Sequence, residues 1–211
     1  DLESSAAAGV NGNAADNSAG TAGAAYVFTR SDGTWTQQAY LKASNAGEGD
    51  QFGESVAIDG DTAVVGAFLE DSAATGVEGN GGDNSATWAG AAYVFIRNGL
   101  VWSEQAYLKA SNAGAGDGFG LPVAIDGDTV AVGAPGEDGA STGVNGNQLD
   151  DSAENAGAVY VFTRNGTDWS QQAYLKASNT DPGDAFGTGL ALNGELIAVG
   201  APREDSAAFG I

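Results

Sequence analysis

Apolar and polar positions in this chain alternate in short runs, and a helical spacing of three to four residues is nearly absent. Residues 25–30 are aromatic and β-branched around Tyr26, Val27 and Phe28, and residues 35–43 form a second such run after the break Ser31-Asp32-Gly33-Thr34. Two β-rich runs joined by a short polar, glycine-bearing link predict a β-hairpin. The corresponding links further along are Asn98-Gly99 and Asn165-Gly166, and Asn-Gly favours hairpin turns because both residues tolerate positive φ. A third run, residues 54–58, meets the turn Asp59-Gly60-Asp61 and continues into residues 62–67, predicting a second hairpin. Its last strand is small and apolar on both faces, as a strand covered on both sides requires.

The pattern then repeats. Trp35, Trp102 and Trp169 are 67 residues apart, and so are Tyr26, Tyr93 and Tyr160, and Phe52, Phe119 and Phe186. No insertion breaks the phase, so the units run roughly 1–67, 68–134 and 135–201, with a ten-residue start of a fourth. Four antiparallel strands per unit predict an all-β chain of tandem, β-propeller-like blades, forming a partial ring or an open array. By repeat equivalence Tyr26, Phe28, Val56, Ile58 and Val64 are expected to be buried and Trp35 partly so. Three blades are fewer than the four or more usual in a ring, so both ends of the array should be covered by more chain or by other copies.

Composition narrows the chemistry. Thirty-four glycines and abundant alanine imply backbone packed closely against backbone. The 28 acidic residues against 7 Lys plus Arg give a net charge of −21, which repels nucleic acid and anionic membranes. The chain has no Cys, His or Met, which excludes disulfides, thiolate chemistry and histidine bases or ligands. No apolar run approaches the roughly 20 residues of a membrane-spanning helix. Paired carboxylates abound, but a chain this acidic brings them together by chance, so they indicate no enzyme.

The pairs Phe52-Gly53, Phe119-Gly120 and Phe186-Gly187, with Gly133-Ala134-Pro135 and Gly200-Ala201-Pro202 further on, resemble the FG-GAP repeat. The first unit departs, having Gly66-Ala67-Phe68. FG-GAP repeats build the propeller of integrin α-subunits and occur in bacterial extracellular proteins, and this chain is more similar to the bacterial type. The resemblance implies a non-catalytic repeat protein outside the cell or on its surface. The integrin-type calcium loop does not carry over, because Asp59-Gly60-Asp61 and its equivalents are tight turns, too short to wrap an ion.

Oxygen ligands instead recur in phase in the long loops between units: Asp71 and Asp138, Glu78 and Asn145, Asn80 and Asn147, Asp83 and Asp150. Mixed carboxylate and amide oxygens suit a hard cation, so calcium is the expected ion, and solvated loops held by Asx turns are the alternative. The tryptophans read as core, Trp88 as a contact particular to its unit, and Arg30, Arg97, Arg164, Lys42, Lys109 and Lys176 as partners of nearby carboxylates. Asn165-Gly166-Thr167 is a glycosylation sequon on a hairpin turn. The expected function is adhesion or assembly outside the cell. Its partners would be a surface protein or glycan, or further copies of the chain, with a carbohydrate-binding module or an extracellular filament as rivals.

Overall fold

The computed structural model describes residues 3–206. Part of the overlap between the two chain ends, residues 1–2 and 207–211, therefore lies outside the described residues. Twelve strands and no helix are found among the described residues, and every pairing between them is antiparallel. Strands β1 (Ala25–Ser31) and β2 (Thr34–Leu41) form the first hairpin. Strands β3 (Ser55–Asp59) and β4 (Thr62–Ala67) form the second, joined through Gly60 at φ 54°. The same alternation continues through β5 (Ala91–Asn98), β6 (Val101–Leu108), β7 (Val123–Asp126) and β8 (Thr129–Ala134). It ends with β9 (Ala158–Asn165), β10 (Asp168–Leu175), β11 (Gly189–Asn193) and β12 (Leu196–Gly200).

Each complete sheet joins the second hairpin of one repeat to the first hairpin of the next. The orders are β3-β4-β5-β6 and β7-β8-β9-β10, while β1-β2 and β11-β12 stand as two-stranded sheets at either end. The sheets are blade-like and, among the described residues, do not close into a ring. β3, β7 and β11 lie side by side along the inner edge of the stack. The joining strand in the middle is the small apolar one: β4 (Ala63, Val64, Val65, Gly66, Ala67) is buried throughout and pairs with β3 on one edge and β5 on the other.

Close backbone approach explains the glycines of the repeated motif. The Gly53 N–H donates to the Gly66 carbonyl at 2.9 Å, and the Gly120 N–H to the Gly133 carbonyl at 3.0 Å. Gly66 in turn faces the Gly120 carbonyl of the next sheet, and a Cβ at Gly66 would overlap that oxygen. The Phe-Gly and Gly-Ala elements are thus two sides of one contact, made within a sheet and then between sheets. Phe119, beside Gly120, fills the space against Tyr160 and Phe162 edge-on.

Two apolar clusters fill the gaps between sheets. One holds Phe52, Val65, Tyr93, Phe95 and Trp102, the other Val64, Phe119, Val132, Tyr160, Phe162 and Trp169. Repeat equivalence fails at the first hairpin. Val64 is buried as expected, but Tyr26 (48%), Phe28 (52%), Trp35 (64%), Val56 (60%) and Ile58 (60%) are exposed. Their equivalents Tyr93, Phe95, Trp102 and Val123 are buried. The difference is the neighbour: among the described residues no inner hairpin lies beside β1-β2 as β3-β4 lies beside β5-β6, and beside it is a cleft of about 450 Å³ lined by Tyr26, Phe28, Val56 and Ile58.

Candidate functional site between the sheets

Where one sheet meets the next, buried ionisable groups replace apolar contacts. Glu70 lies in the turn after β4 and Lys109 immediately after β6, at the same end of one sheet. Lys109 Nζ donates to Glu70 Oε2 at 2.9 Å, the Tyr107 hydroxyl to Oε1 at 2.9 Å, and the Ser72 N–H to Oε2 at 3.1 Å. Asn45, just after β2, reaches across from the neighbouring hairpin. Its Nδ2 donates to Glu70 Oε1 (2.9 Å) and to the Gly81 carbonyl (2.7 Å), while its Oδ1 accepts from Tyr93 (2.6 Å). A carboxylate that accepts four bonds, one from an ammonium, has the satisfaction a buried charge requires.

The unit recurs at Glu137 with Lys176, Tyr174, Gly139 and Asn112. At Glu3 the Lys42 and Tyr40 bonds are present, and at Glu204 the Asn179 bond. Burial holds the Lys109 ammonium below its ordinary value, opposed by the Glu70 charge, and raises the Tyr107 hydroxyl well above its own.

A second in-phase carboxylate sits on the loop after each Asn. Asp117 is buried, and its Oδ2 accepts from the Gly114 N–H at 2.8 Å. It lines a cleft of about 150 Å³ with Asn112, Glu137, Asp138 and Asp151. Burial pushes its carboxyl up to about 7; the Gly114 bond opposes this, and the charges of Glu137, Asp138 and Asp151 add to it. Asp50 is likewise pushed up to about 6, chiefly by burial.

Asp117 therefore holds its proton more tightly in the folded chain than in the unfolded one, where aspartate titrates near about 3.9. Its contribution to stability falls as pH rises from about 4 to 7 and is most unfavourable above that window. Asp117→Asn keeps an acceptor for Gly114 and removes the charge. The variant should match the parent near pH 4 and exceed it by about 2 kcal/mol near pH 8, read from urea midpoints at the two pH values. Equal midpoints at both would show that Asp117 is freely solvated.

The eight loop residues singled out from the sequence each engage a backbone amide. Asp71 accepts from the Trp88 N–H and Asp138 from Asn155, so these two pin the loop where it returns to the sheet. Glu78 and Asn145 accept from the Tyr107 and Tyr174 N–H groups, fastening the loop to the outer strand. Asn80, Asn147, Asp83 and Asp150 each close a turn on the residue two positions ahead. Of the eight, Asp138 alone lines the cleft that holds Asp117. No group of three or more Asp and Glu placed to hold a metal ion is found among the described residues.

Five of the six cations expected to pair do so: beside the three lysines, Arg97 binds Asp61 and Arg164 binds Asp128 across the β4-β5 and β8-β9 joins, with the guanidinium groups 5.8 and 5.2 Å from the Trp102 and Trp169 ring centroids, whereas Arg30 is exposed and has no carboxylate partner among the described residues. Trp88 is exposed. The sequence reading missed the carboxylate partners of the lysines. Glu3, Glu70 and Glu137 share the 67-residue phase of Lys42, Lys109 and Lys176, and that shared phase was the available signal.

The motif geometry, with Phe-Gly backbone docked on Gly-Ala backbone in successive sheets, is matched by sequence comparison. The FG-GAP repeat profile fits residues 35–95, 102–162 and 169–210, more than half of the chain. The chain belongs to the FG-GAP repeat family. A search of curated proteins gave no match. FG-GAP repeats generally serve as non-catalytic scaffolds and are typically found in extracellular or surface proteins. The matched segments start at the tryptophan of each outer strand, and the first two run from that strand, through the inner hairpin, to the first strand of the following hairpin.

Proposed function

We propose that this chain is an extracellular, non-catalytic FG-GAP scaffold that mediates adhesion or assembly, with calcium stabilising its inter-unit loops. The observation that carries the reading is the use made of its buried charges. Lys109, Glu70, Lys176 and Glu137 are tied to tyrosine and asparagine groups that hold neighbouring sheets together. Side chains engaged this way stabilise a stack and offer no nucleophile or base to a substrate. The acidic surface, at −21 overall, favours protein, glycan or cationic partners over nucleic acid. Antibody labelling of intact source cells tests the location. Labelling without permeabilisation is expected, and labelling only after permeabilisation would overturn the reading.

Calcium rests on the charge and on the oxygen-rich loops around Asp71, Glu78, Asn80 and Asp83 and around Asp138, Asn145, Asn147 and Asp150. A ligand that binds only the folded chain raises its melting temperature by mass action. Millimolar calcium should therefore raise Tm above the value in chelator, and superimposable melting curves would remove calcium from the proposal. A carbohydrate-binding role is favoured by one feature, the exposed Trp88 ring, and a glycan array with Trp88→Ala as control addresses it.

A further inference from the structure

One large aromatic side chain sits where the backbone disfavours it. Trp88 has φ 60°, in the left-handed region, and its in-phase equivalents Thr21 and Asn155 share that region at 54° with smaller side chains. Asn visits it readily, whereas a bulky residue there is strained. The loop itself imposes the conformation: the Trp88 N–H donates to Asp71 Oδ1 at 2.8 Å, and the Trp88 carbonyl accepts from the Gly118 N–H at 3.0 Å. Burial does not offset the strain. Trp88 is 56% exposed, and its ring meets no other aromatic ring and no cation among the described residues. Strain that packing does not compensate points to a use for the ring outside the fold.

We propose that Trp88 and Asp71 form a docking point for an arginine side chain carried by a partner protein. This names the partner's chemistry within the adhesion or assembly reading above and rests on that reading. Charge complementarity selects the occupant. The loop 68–90 carries Glu70, Asp71, Glu78 and Asp83 and no Lys or Arg, and none occurs in segment 110–120, which the Gly118 bond sets beside Trp88. Of those four carboxylates only Glu70 is answered by an internal cation, Lys109. Asp71 Oδ2 makes no hydrogen bond among the described residues, while Oδ1 holds the Trp88 backbone. An exposed indole beside uncompensated carboxylates attracts a cation from outside.

The chain shows this arrangement twice with its own arginines. Arg97 Nε donates to Asp61 Oδ1 at 2.6 Å with its guanidinium over the Trp102 ring, and Arg164 Nε donates to Asp128 Oδ1 at 2.7 Å over the Trp169 ring. One guanidinium thus takes an aspartate and an indole together. Arginine suits the pair better than lysine, because its planar group stacks on a ring while its edge bonds a carboxylate.

The docking point belongs to one unit. Thr21 and Asn155 hold the same backbone conformation without a ring, and Ser4 stands in the first unit where Asp71 stands in the second. A sugar stacking on the same indole would draw nothing from the surrounding charge, which is why the acidic loop favours the cation.

The test uses the whole chain at low ionic strength and in chelator, which keeps calcium from Asp71. Titration calorimetry compares an arginine-rich peptide with lysine and glutamine counterparts of the same length. The arginine peptide should bind more tightly than the lysine peptide, and the glutamine peptide should not bind. Trp88→Asn, which takes the residue of the third unit at the same φ, should weaken the arginine peptide about three- to tenfold. It should leave the circular dichroism unchanged and the urea midpoint no lower than the parent's, since the strain is relieved. Trp88→Phe should keep part of the affinity, and Asp71→Asn, which retains an acceptor for the Trp88 N–H, should lose part of it. Equal affinity for the arginine and lysine peptides, or parent affinity in Trp88→Asn, would leave only general acidity and overturn the proposal. A lowered urea midpoint in Trp88→Asn would show a packed ring, with the same consequence. So would a glycan-array signal that Trp88→Asn abolishes while peptide binding stands. Each of these results leaves the surface-labelling experiment, and hence the scaffold reading, untouched.

Discussion

Replacing Glu70 with Gln should lower the stability of the chain by about 3 to 5 kcal/mol, the loss expected when one partner of a buried ion pair is removed. Gln preserves the size of the side chain and an acceptor for Tyr107 and Asn45, so no cavity accounts for the effect; what is lost is Oε2, the acceptor of Lys109 and of the Ser72 N–H. What remains is the Lys109 ammonium, fully buried and facing an amide. Urea midpoints at constant m-value measure the loss. Adding Lys109→Met should recover a large part of it, because the uncompensated charge is then gone. Glu3→Gln should cost less, since water reaches the partly exposed Glu3 end of the pair and Lys42 keeps its bond to the Gly23 carbonyl. Equal losses at Glu3 and Glu70 would contradict the role assigned to burial.

Phe95→Ala should cost about 3 to 5 kcal/mol, while Phe28→Ala, the same substitution one repeat earlier, should cost about 1 kcal/mol. Phe95 is fully buried and packs edge-on against Phe52 at 6.0 Å, and Phe28 is half exposed beside the open cleft. The two positions have the same neighbours in sequence apart from Thr29 in place of Ile96, so the comparison chiefly reads what the adjacent hairpin contributes. Near-equal losses in a monomeric sample would mean that the first hairpin is covered within the chain itself.

The hairpins could be read from the sequence because their information is local. Tyr26 to Arg30, the Asp32-Gly33 turn and the run from Trp35 supply strand, turn and strand within 20 residues, and the structure places β1 and β2 there. Which hairpin joins which is not a local property. β4 pairs with β5 across the loop between residues 68 and 90, and no periodicity distinguishes that partner from β1 of its own unit. The same limit explains the misplaced burial of Tyr26, Phe28, Val56 and Ile58. Repeat equivalence transfers residue type from unit to unit, whereas burial depends on a neighbouring sheet.

At the site, the lysines could be marked as paired because a lone cation in an acidic chain finds a carboxylate. Their partners lie 39 residues away in sequence and are brought together by sheet pairing alone. Asp50 and Asp117 escaped notice for the opposite reason: among 28 acidic residues nothing in the sequence shows which are buried.

The offset between repeat and sheet has a consequence for how such chains change length. Each sheet takes one hairpin from either side of a repeat boundary, so every internal repeat begins in one blade and finishes in the next. Duplicating or deleting a whole 67-residue segment, as unequal recombination does, therefore leaves every join between hairpins of the same kind as before. The number of copies can drift by whole units without changing how one sheet is joined to the next.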